Sequence, residues 1–285
     1  MARMTLGQNA RRFAQLTCFL PEQALEREWI WGEYDEGVRF AFFRVYEELR
    51  QLAAKLETLR IDSYPPLTTA HRILGQYHAA YLDLCAILLG VDQSQALQAP
   101  ADNEWSLLDI LYHIVGSERG FYAINLYGLE GKRLQDGRPM EMTEESWDAF
   151  WSGDAYNEIK DSHSWEKLLG YYSSLHACVL ESFQDITEAE LEIPIAFWEK
   201  GHMPLCFRLH RFDSHLRQHT IQAQKALTMI SGPPSEAMRL LRLIYAALAQ
   251  VEGVLIGMPE FGLDLQDEVA NRIAGYTNEI MDALE

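Results

Sequence analysis

The spacing of apolar residues is the feature of this sequence that most limits its possible folds. In nearly every long segment, apolar residues recur three and four positions apart, as on one face of an α-helix, whereas alternating apolar and polar runs are hard to find. One such stripe consists of Val38, Phe42, Val45, Leu49, Leu52 and Leu56. The pattern predicts an all-α protein.

Prolines, glycines and capping residues place the ends of the predicted helices. The prolines of "DSYPP" end the first one, because proline lacks an amide donor and clashes with the preceding turn. At "WSLLDI", Ser106 and Asp109 have the spacing of a capping box, and Trp105 and Ile110 that of a hydrophobic staple. Long helices are predicted over about 22–60, 68–90, 106–127, 164–183, 205–231, 234–257 and 264–284. The segment 128–163 is predicted to be rich in loops, with a short helix across "TEESWDAFW".

The charge balance narrows the classes of partner. Forty-two acidic against 24 basic side chains give a formal net charge of -18. Such a chain repels phosphate backbones and anionic lipid, so we expect neither nucleic acid nor membrane as a partner. No apolar run approaches the roughly 18 residues needed to span a bilayer, and the first residues do not read as a signal peptide.

The four cysteines indicate a reducing compartment. Cys18, Cys85, Cys178 and Cys206 are far apart and form no C-x-x-C pair, which disfavours disulfide frameworks, zinc ribbons and thioredoxin-type motifs. We interpret them as buried thiols and expect a cytoplasmic protein.

Two histidines in "HRFDSHLRQHTIQAQKAL" have the spacing of metal ligands. His215 and His219 are four residues apart, so on a helix they share one face, which Gln222 extends. This face borders an apolar stripe, where a neutral imidazole needs a partner such as a divalent metal. The same spacing also suits interfacial or solvent-facing histidines.

A third histidine lies among small residues on another predicted helix. His113 sits near the apolar side of "WSLLDILYHIVGSERGFY", and the surrounding surface carries Ser106, Gly116, Ser117 and Gly120. Small neighbours leave space beside a buried polar group, which indicates a pocket. Close helix packing against the glycines, with His113 bonded to a carbonyl, explains the same pattern.

Other side chains are weaker candidates. Glu118 is a candidate catalytic group, although five residues from His113 it is displaced around the helix. We expect surface or packing roles for His71 and His78. We interpret His176 as a core histidine with its hydrogen bonds satisfied, in preference to a residue that supports a metal ligand. Asp213 and Arg217 flank the histidine pair. No phosphate-binding glycine loop and no G-x-S-x-G elbow is present.

Together these segments resemble a known family. "EWSLLDILYHIVGSERGFY", followed about a hundred residues later by "HLRQHTIQ", resembles the DinB-like superfamily of metal-binding four-helix bundles, and "YHAAYLDLCAILLGVDQSQALQAP" resembles its first helix. The resemblance implies an up-down-down-up four-helix bundle over 66–232, and residues 1–65 and 233–285, which depart from shorter family members, are expected to be additional helical extensions. It also implies a divalent metal held by His113, His215 and His219, which we expect to be nickel or zinc.

The same resemblance sets the functional expectation. Relatives include bacillithiol S-transferases and the mycothiol-dependent maleylpyruvate isomerase, so we expect metal-activated nucleophile chemistry on a small molecule, with a low-molecular-weight thiol as cosubstrate. Metal-dependent hydrolysis and a non-catalytic ligand-binding dimer are the alternatives. The terminal extensions favour a homodimer in either case.

Overall fold

The computed structural model describes residues 4–63, 67–197 and 201–285 and confirms the all-α prediction. Its longer helices are α1 (Leu6–Thr17), α3 (Val38–Ser63), α4 (Thr69–Ile87), α6 (Leu107–Leu134), α9 (Trp165–Phe183), α10 (Leu205–Ser231), α11 (Glu236–Val254) and α12 (Leu263–Leu284). Short helices are α2 (Glu22–Leu25), α5 (Gln93–Leu97), α7 (Glu144–Phe150) and α8 (Tyr156–Ser162), with a 3-10 turn at Glu190–Glu192. Two antiparallel hairpins complete the described residues, β1 (Glu28–Trp31) with β2 (Tyr34–Gly37), and β3 (Pro194–Phe197) with β4 (Gly201–Pro204).

The prediction of one helix over 22–60 is wrong in its first third. Helix α1 precedes this region, and the β1–β2 hairpin occupies residues that were expected to be helical. Trp31 pairs with Tyr34 across a two-residue turn that begins at Gly32, whose φ of 61° is the left-handed conformation that hairpin turns require. The aromatic residues of "EWIWGEY" therefore form strands.

Helix α6 extends beyond Tyr127, where it was predicted to end. It continues through Gly128 and Gly131 and ends at Leu134, where Gln135 adopts the left-handed conformation with φ 51°. A Cβ at Gly128 would lie 2.5 Å from the Ile195 side chain of β3, so this glycine permits close packing instead of ending the helix. The capping box of Ser106 and Asp109 is present as predicted, and the short helix expected in 128–163 is α7.

The chain divides into two compact units. The first contains residues 1–66, 82–90 and 232–285, and the second contains 67–81 and 91–231. In the first unit, α3 packs against α11 and α12, and α1 packs against α12. The division at 65 and 232 predicted from the sequence stays a prediction.

The second unit contains the helical bundle that carries the predicted site. Its helices are α6, α9, α10 and the part of α4 up to Tyr81, and an aromatic core joins them. The Phe212 ring lies 5.1 Å from Tyr77, 5.5 Å from Phe121 and 6.5 Å from Phe183, measured between centroids. These rings contribute most to the packing because aromatic side chains bury the largest apolar areas.

The prediction that the cysteines are buried is correct for Cys18 only. Cys178 is exposed, and Cys85 and Cys206 are half-buried. Cys178 lies on the outer face of α9, one residue before the buried Val179. Among the described helices, none is long and apolar enough to cross a membrane.

Candidate metal centre

Helix α6 brings His113 to the site. Ser106 accepts a hydrogen bond from the Asp109 amide and Asp109 accepts one from the Ser106 amide, so the start of the helix is defined. His113 is half-buried about two turns further along, and the ring of Trp105 lies 5.2 Å from its own ring. The cap thus determines which face of α6 presents this imidazole.

Helix α10 contributes the other two imidazoles. His215 and His219 are one turn apart, and both are buried. The apolar residues of the same face, Leu209, Phe212 and Leu216, are almost completely buried. Burial of this stripe holds both histidines at the packed side of α10, as the sequence pattern predicts.

The three imidazoles converge in space. One ring nitrogen from each lies within 4.8 Å of the other two. His113 Nε2 and His215 Nε2 are 3.2 Å apart, and the ring centroids of His113 and His219 are 4.4 Å apart. Histidines separated by about a hundred residues in the sequence therefore meet at one point between α6 and α10.

Burial favours the neutral form of His113 and His215. Loss of hydration, followed by the neighbouring His219 and His113, lowers the pKa of His215 to about 3. Burial also lowers the pKa of His113, with His219 as the second cause. A neutral imidazole keeps a lone pair on one nitrogen, which is the form that binds a metal.

Gln222 defines the tautomer of His219. Its Oε1 lies 2.8 Å from His219 Nδ1 and can only accept, so Nδ1 carries the proton and Nε2 keeps the lone pair. Outer hydrogen bonds of this kind are typical of metal-binding histidines. At His215, by contrast, Nδ1 is buried without a hydrogen-bond partner in the described part of the chain.

Glu118 lies outside this cluster. It is fully buried, and the hydroxyls of Tyr77 and Tyr172 lie 2.6 Å and 3.0 Å from its two oxygens. Burial raises the pKa of Glu118 to about 8, although the two tyrosine contacts act in the opposite direction. Its carboxyl is therefore mostly protonated at neutral pH.

The remaining sequence candidates have other contacts. His78 Nδ1 lies 3.3 Å from His176 Nε2, and both rings are buried, so they form a pair of core histidines. His71 accepts from the Thr68 amide near the start of α4. Asp213 forms an ion pair with Arg217 on the exposed side of α10.

Two of the small residues of α6 have different surroundings. A Cβ built at Gly120 would meet nothing within 4 Å, and one at Gly116 would lie 3.1 Å from the Tyr156 hydroxyl. Gly116 therefore serves close packing, and the pocket expected from the small residues stays a prediction.

Sequence reasoning missed two arginines on α10. Arg208 is only 1% exposed and Arg211 is half-buried, seven and four residues before His215. The sequence contained the information needed to find them. Spacings of four and seven residues place both arginines on the same helix face as His215, among apolar residues.

Comparison with known families decides the classification. A family model described as the DinB superfamily matches residues 76–223, more than half of the chain, and this range includes all three histidines. The chain belongs to the DinB superfamily. Comparisons with curated proteins and with solved structures found no match. DinB superfamily proteins are generally metal-binding, and the histidine triad lies within the matched segment.

Proposed function

We propose that this DinB superfamily protein is a divalent-metal-dependent enzyme acting on a small molecule, with His113, His215 and His219 as the metal ligands. The convergence of one nitrogen from each ring within 4.8 Å is the observation that carries the proposal. Three imidazoles grouped in a largely buried place need partners for their ring nitrogens, and one divalent cation serves all three.

The donor set fits a divalent cation. With zinc–nitrogen bonds of about 2.0–2.1 Å, the edge of a tetrahedral site is about 3.3 Å. The 3.2 Å between His113 Nε2 and His215 Nε2 agrees with that edge. Imidazole nitrogen suits nickel, zinc, copper and iron, and nickel and zinc are the metals that we propose.

Three protein ligands are typical of catalytic sites, which keep a position for water or substrate. A cation there would lower the pKa of a coordinated thiol or water and so supply a nucleophile at neutral pH. The chain's own contribution is orientation, since Gln222 holds the His219 tautomer and the apolar stripe of α10 limits access of water. Transfer of a low-molecular-weight thiol to a small electrophile is the reaction that we propose, and hydrolysis would use the same residues.

Glu118 keeps a proposed supporting role. With a pKa of about 8 it is mostly protonated at pH 7, so it suits the donation of a proton better than its abstraction. Tyr77, which contacts Glu118, packs against Phe212, and Phe212 and Phe121 connect it to the ring of His215. Any such proton would therefore need an intermediate carrier.

Removal of one ligand tests the metal site. We expect His215→Ala to lose stoichiometric nickel or zinc, because two imidazoles hold a divalent ion far more weakly than three, while the helical circular dichroism signal is retained. His210→Ala is the matched control, since His210 is exposed on the same helix. Elemental analysis of the purified proteins after dialysis gives the metal content.

Two results would contradict the proposal. The first is wild-type protein without stoichiometric metal and without a thermal shift on addition of nickel, zinc or manganese. The second is equal metal content in the two variants. Thiol transfer to 1-chloro-2,4-dinitrobenzene, lost in His215→Ala and kept in His210→Ala, would favour the enzyme over a non-catalytic binding protein.

A further inference from the structure

Trp105 is an aromatic side chain at the exposed side of the proposed metal centre. The centroid of its indole lies 5.2 Å from that of the His113 ring, and the two planes are tilted by 54°. His113 is half-buried, whereas His215 and His219 are buried. The triad is therefore most accessible to solvent at His113, where the indole lies.

Packing at the start of α6 does not account for the position of this indole. The spacing of Trp105 and Ile110 predicts a hydrophobic staple, in which the two side chains pack together. Ile110 is only 1% exposed, but Trp105 is 45% exposed. The capping box of Ser106 and Asp109 already defines where the helix begins. Much of the indole surface is therefore available to a ligand.

The location of Trp105 matters more than its exposure. Single exposed apolar side chains are common on protein surfaces, so exposure alone does not indicate a site. Trp105 differs because its ring contacts a proposed metal ligand. Tryptophan is also enriched at binding sites, since its indole offers a large, flat and rigid apolar face.

Contacts to both helices of the triad position the segment that carries Trp105. Ser106, the next residue, caps α6. Glu104, the preceding residue, has its Oε1 3.4 Å from the Nζ of Lys225, which follows His219 by six residues on α10. This ion pair is exposed and adds little to stability. It nevertheless shows that the segment lies beside α10 as well as α6, next to the histidines.

We propose that the small molecule bound at the metal centre carries an aromatic ring close to its metal-binding atom, and that Trp105 selects it by stacking on this ring. Aromatic rings attract each other at centroid distances of about 4.5–7 Å. The indole is in ring contact with His113, so a ring joined through one carbon to an atom held at the triad is within its reach. This inference rests on the proposed function of the same site and adds the chemical class of the ligand.

Phenylmethanethiol and ethanethiol are suitable probes, because both bind a metal through sulfur and only the first carries an aromatic ring. The affinities are measured by calorimetric titration of the nickel-loaded, full-length protein, and the absorption of nickel-bound thiolate shows that each probe binds through sulfur. In Trp105→Ala we expect phenylmethanethiol to bind roughly tenfold more weakly, because stacking and burial of its ring are lost. Ethanethiol should bind as it does to the wild type, because it carries no ring.

Three further variants separate aromatic stacking from other effects. Trp105→Phe keeps an aromatic ring and should retain most of the preference for phenylmethanethiol, whereas Trp105→Leu is apolar without a ring and should lose much of it. Tyr34→Ala removes an exposed aromatic side chain of the β1–β2 hairpin and should bind both thiols like the wild type. Elemental analysis should give the same nickel content in all of these proteins.

Loss of nickel from Trp105→Ala, or equal weakening of both thiols, would show that the indole only orients His113 and would overturn the proposal. Unchanged affinity of Trp105→Ala for phenylmethanethiol would also overturn it. The nickel content of the wild type distinguishes this failure from that of the proposed function. A wild type without stoichiometric nickel would refute the metal enzyme and this inference with it, whereas a nickel-loaded wild type whose thiol affinities do not depend on Trp105 would refute this inference alone.

Discussion

At the scale of single residues, Glu118 shows how burial changes a side chain's chemistry. Its carboxyl is completely buried between Tyr77 and Tyr172, and its pKa is raised from 4.5 to about 8. Because the folded state holds this proton more tightly than the unfolded state, the stabilisation is complete below pH 4.5 and is lost as the pH rises through about 8.

Substitution of Glu118 should change the pH dependence of stability. Between pH 7 and 8 we expect the wild type to lose on the order of 1 kcal/mol through this group, and Glu118→Gln to lose much less because the amide does not titrate. The lowered pKa of His215 acts at lower pH, between about 3 and 6.5, where it makes stability rise with pH. Urea unfolding of the metal-free proteins at several pH values measures the slope. Glu181→Gln, at an exposed position on α9, is the control, and identical slopes in all three proteins would refute the assignment.

Asn125 illustrates the opposite situation, a buried polar group without a partner among the described residues. Asn125→Leu should stabilise the protein by about 1–3 kcal/mol, because leucine has a similar shape and carries no unsatisfied donor or acceptor. Asn9 is the contrasting site, since its amide donates to the carbonyls of Met4 and Thr5. Urea unfolding should therefore show Asn9→Leu to be destabilising, and a loss of stability in Asn125→Leu would mean that Asn125 is bonded.

At the scale of elements, one arginine makes several of the contacts that attach the segment between α6 and α9. Arg119 of α6 is buried, forms an ion pair with Asp154, and lies 3.7 Å from the ring centroid of Trp151 and 4.4 Å from that of Tyr156. Stacking on two rings combined with an ion pair is stronger than either alone. The α7–α8 segment is thereby attached to the helix that carries His113.

Loss of this attachment should loosen the segment. We expect Arg119→Met to increase proteolytic cleavage and hydrogen exchange within residues 144–162, because α7 and α8 have no buried residues of their own. Arg133→Met is the matched control on α6, since Arg133 pairs with Asp185 and Glu190 elsewhere. Equal protection of 144–162 in both variants would show that other contacts hold the segment.

At the scale of the whole molecule, the assembly state is the open prediction. We predict a homodimer, because the chain carries helical extensions at both ends beyond the segment that matches the DinB superfamily. Sedimentation equilibrium should then give twice the 32.7 kDa of the chain, at low and at high salt. A mass of one chain at micromolar concentration would contradict the dimer.

The candidate triad is predictable from the amino-acid sequence because helical periodicity is a local property. His215 and His219 share a face through their spacing alone, and the capping box at Ser106 determines the register of His113. The resemblance to the DinB-like superfamily was needed to predict that the two segments meet, because no local pattern shows which helices pack together. The predicted all-α class has the same local origin.

Only the tertiary structure decided which polar side chains are buried and what they meet. The raised pKa of Glu118, the lack of a partner for Asn125 among the described residues and the nearness of Arg208 to Phe121 depend on contacts between helices far apart in the sequence. The hairpin at Gly32 was missed because a short aromatic stretch suits a helix or a strand equally well until its partners are present. Local periodicity thus determined the helices and their faces, whereas burial, which sets the electrostatics of the site, arises only when those faces pack.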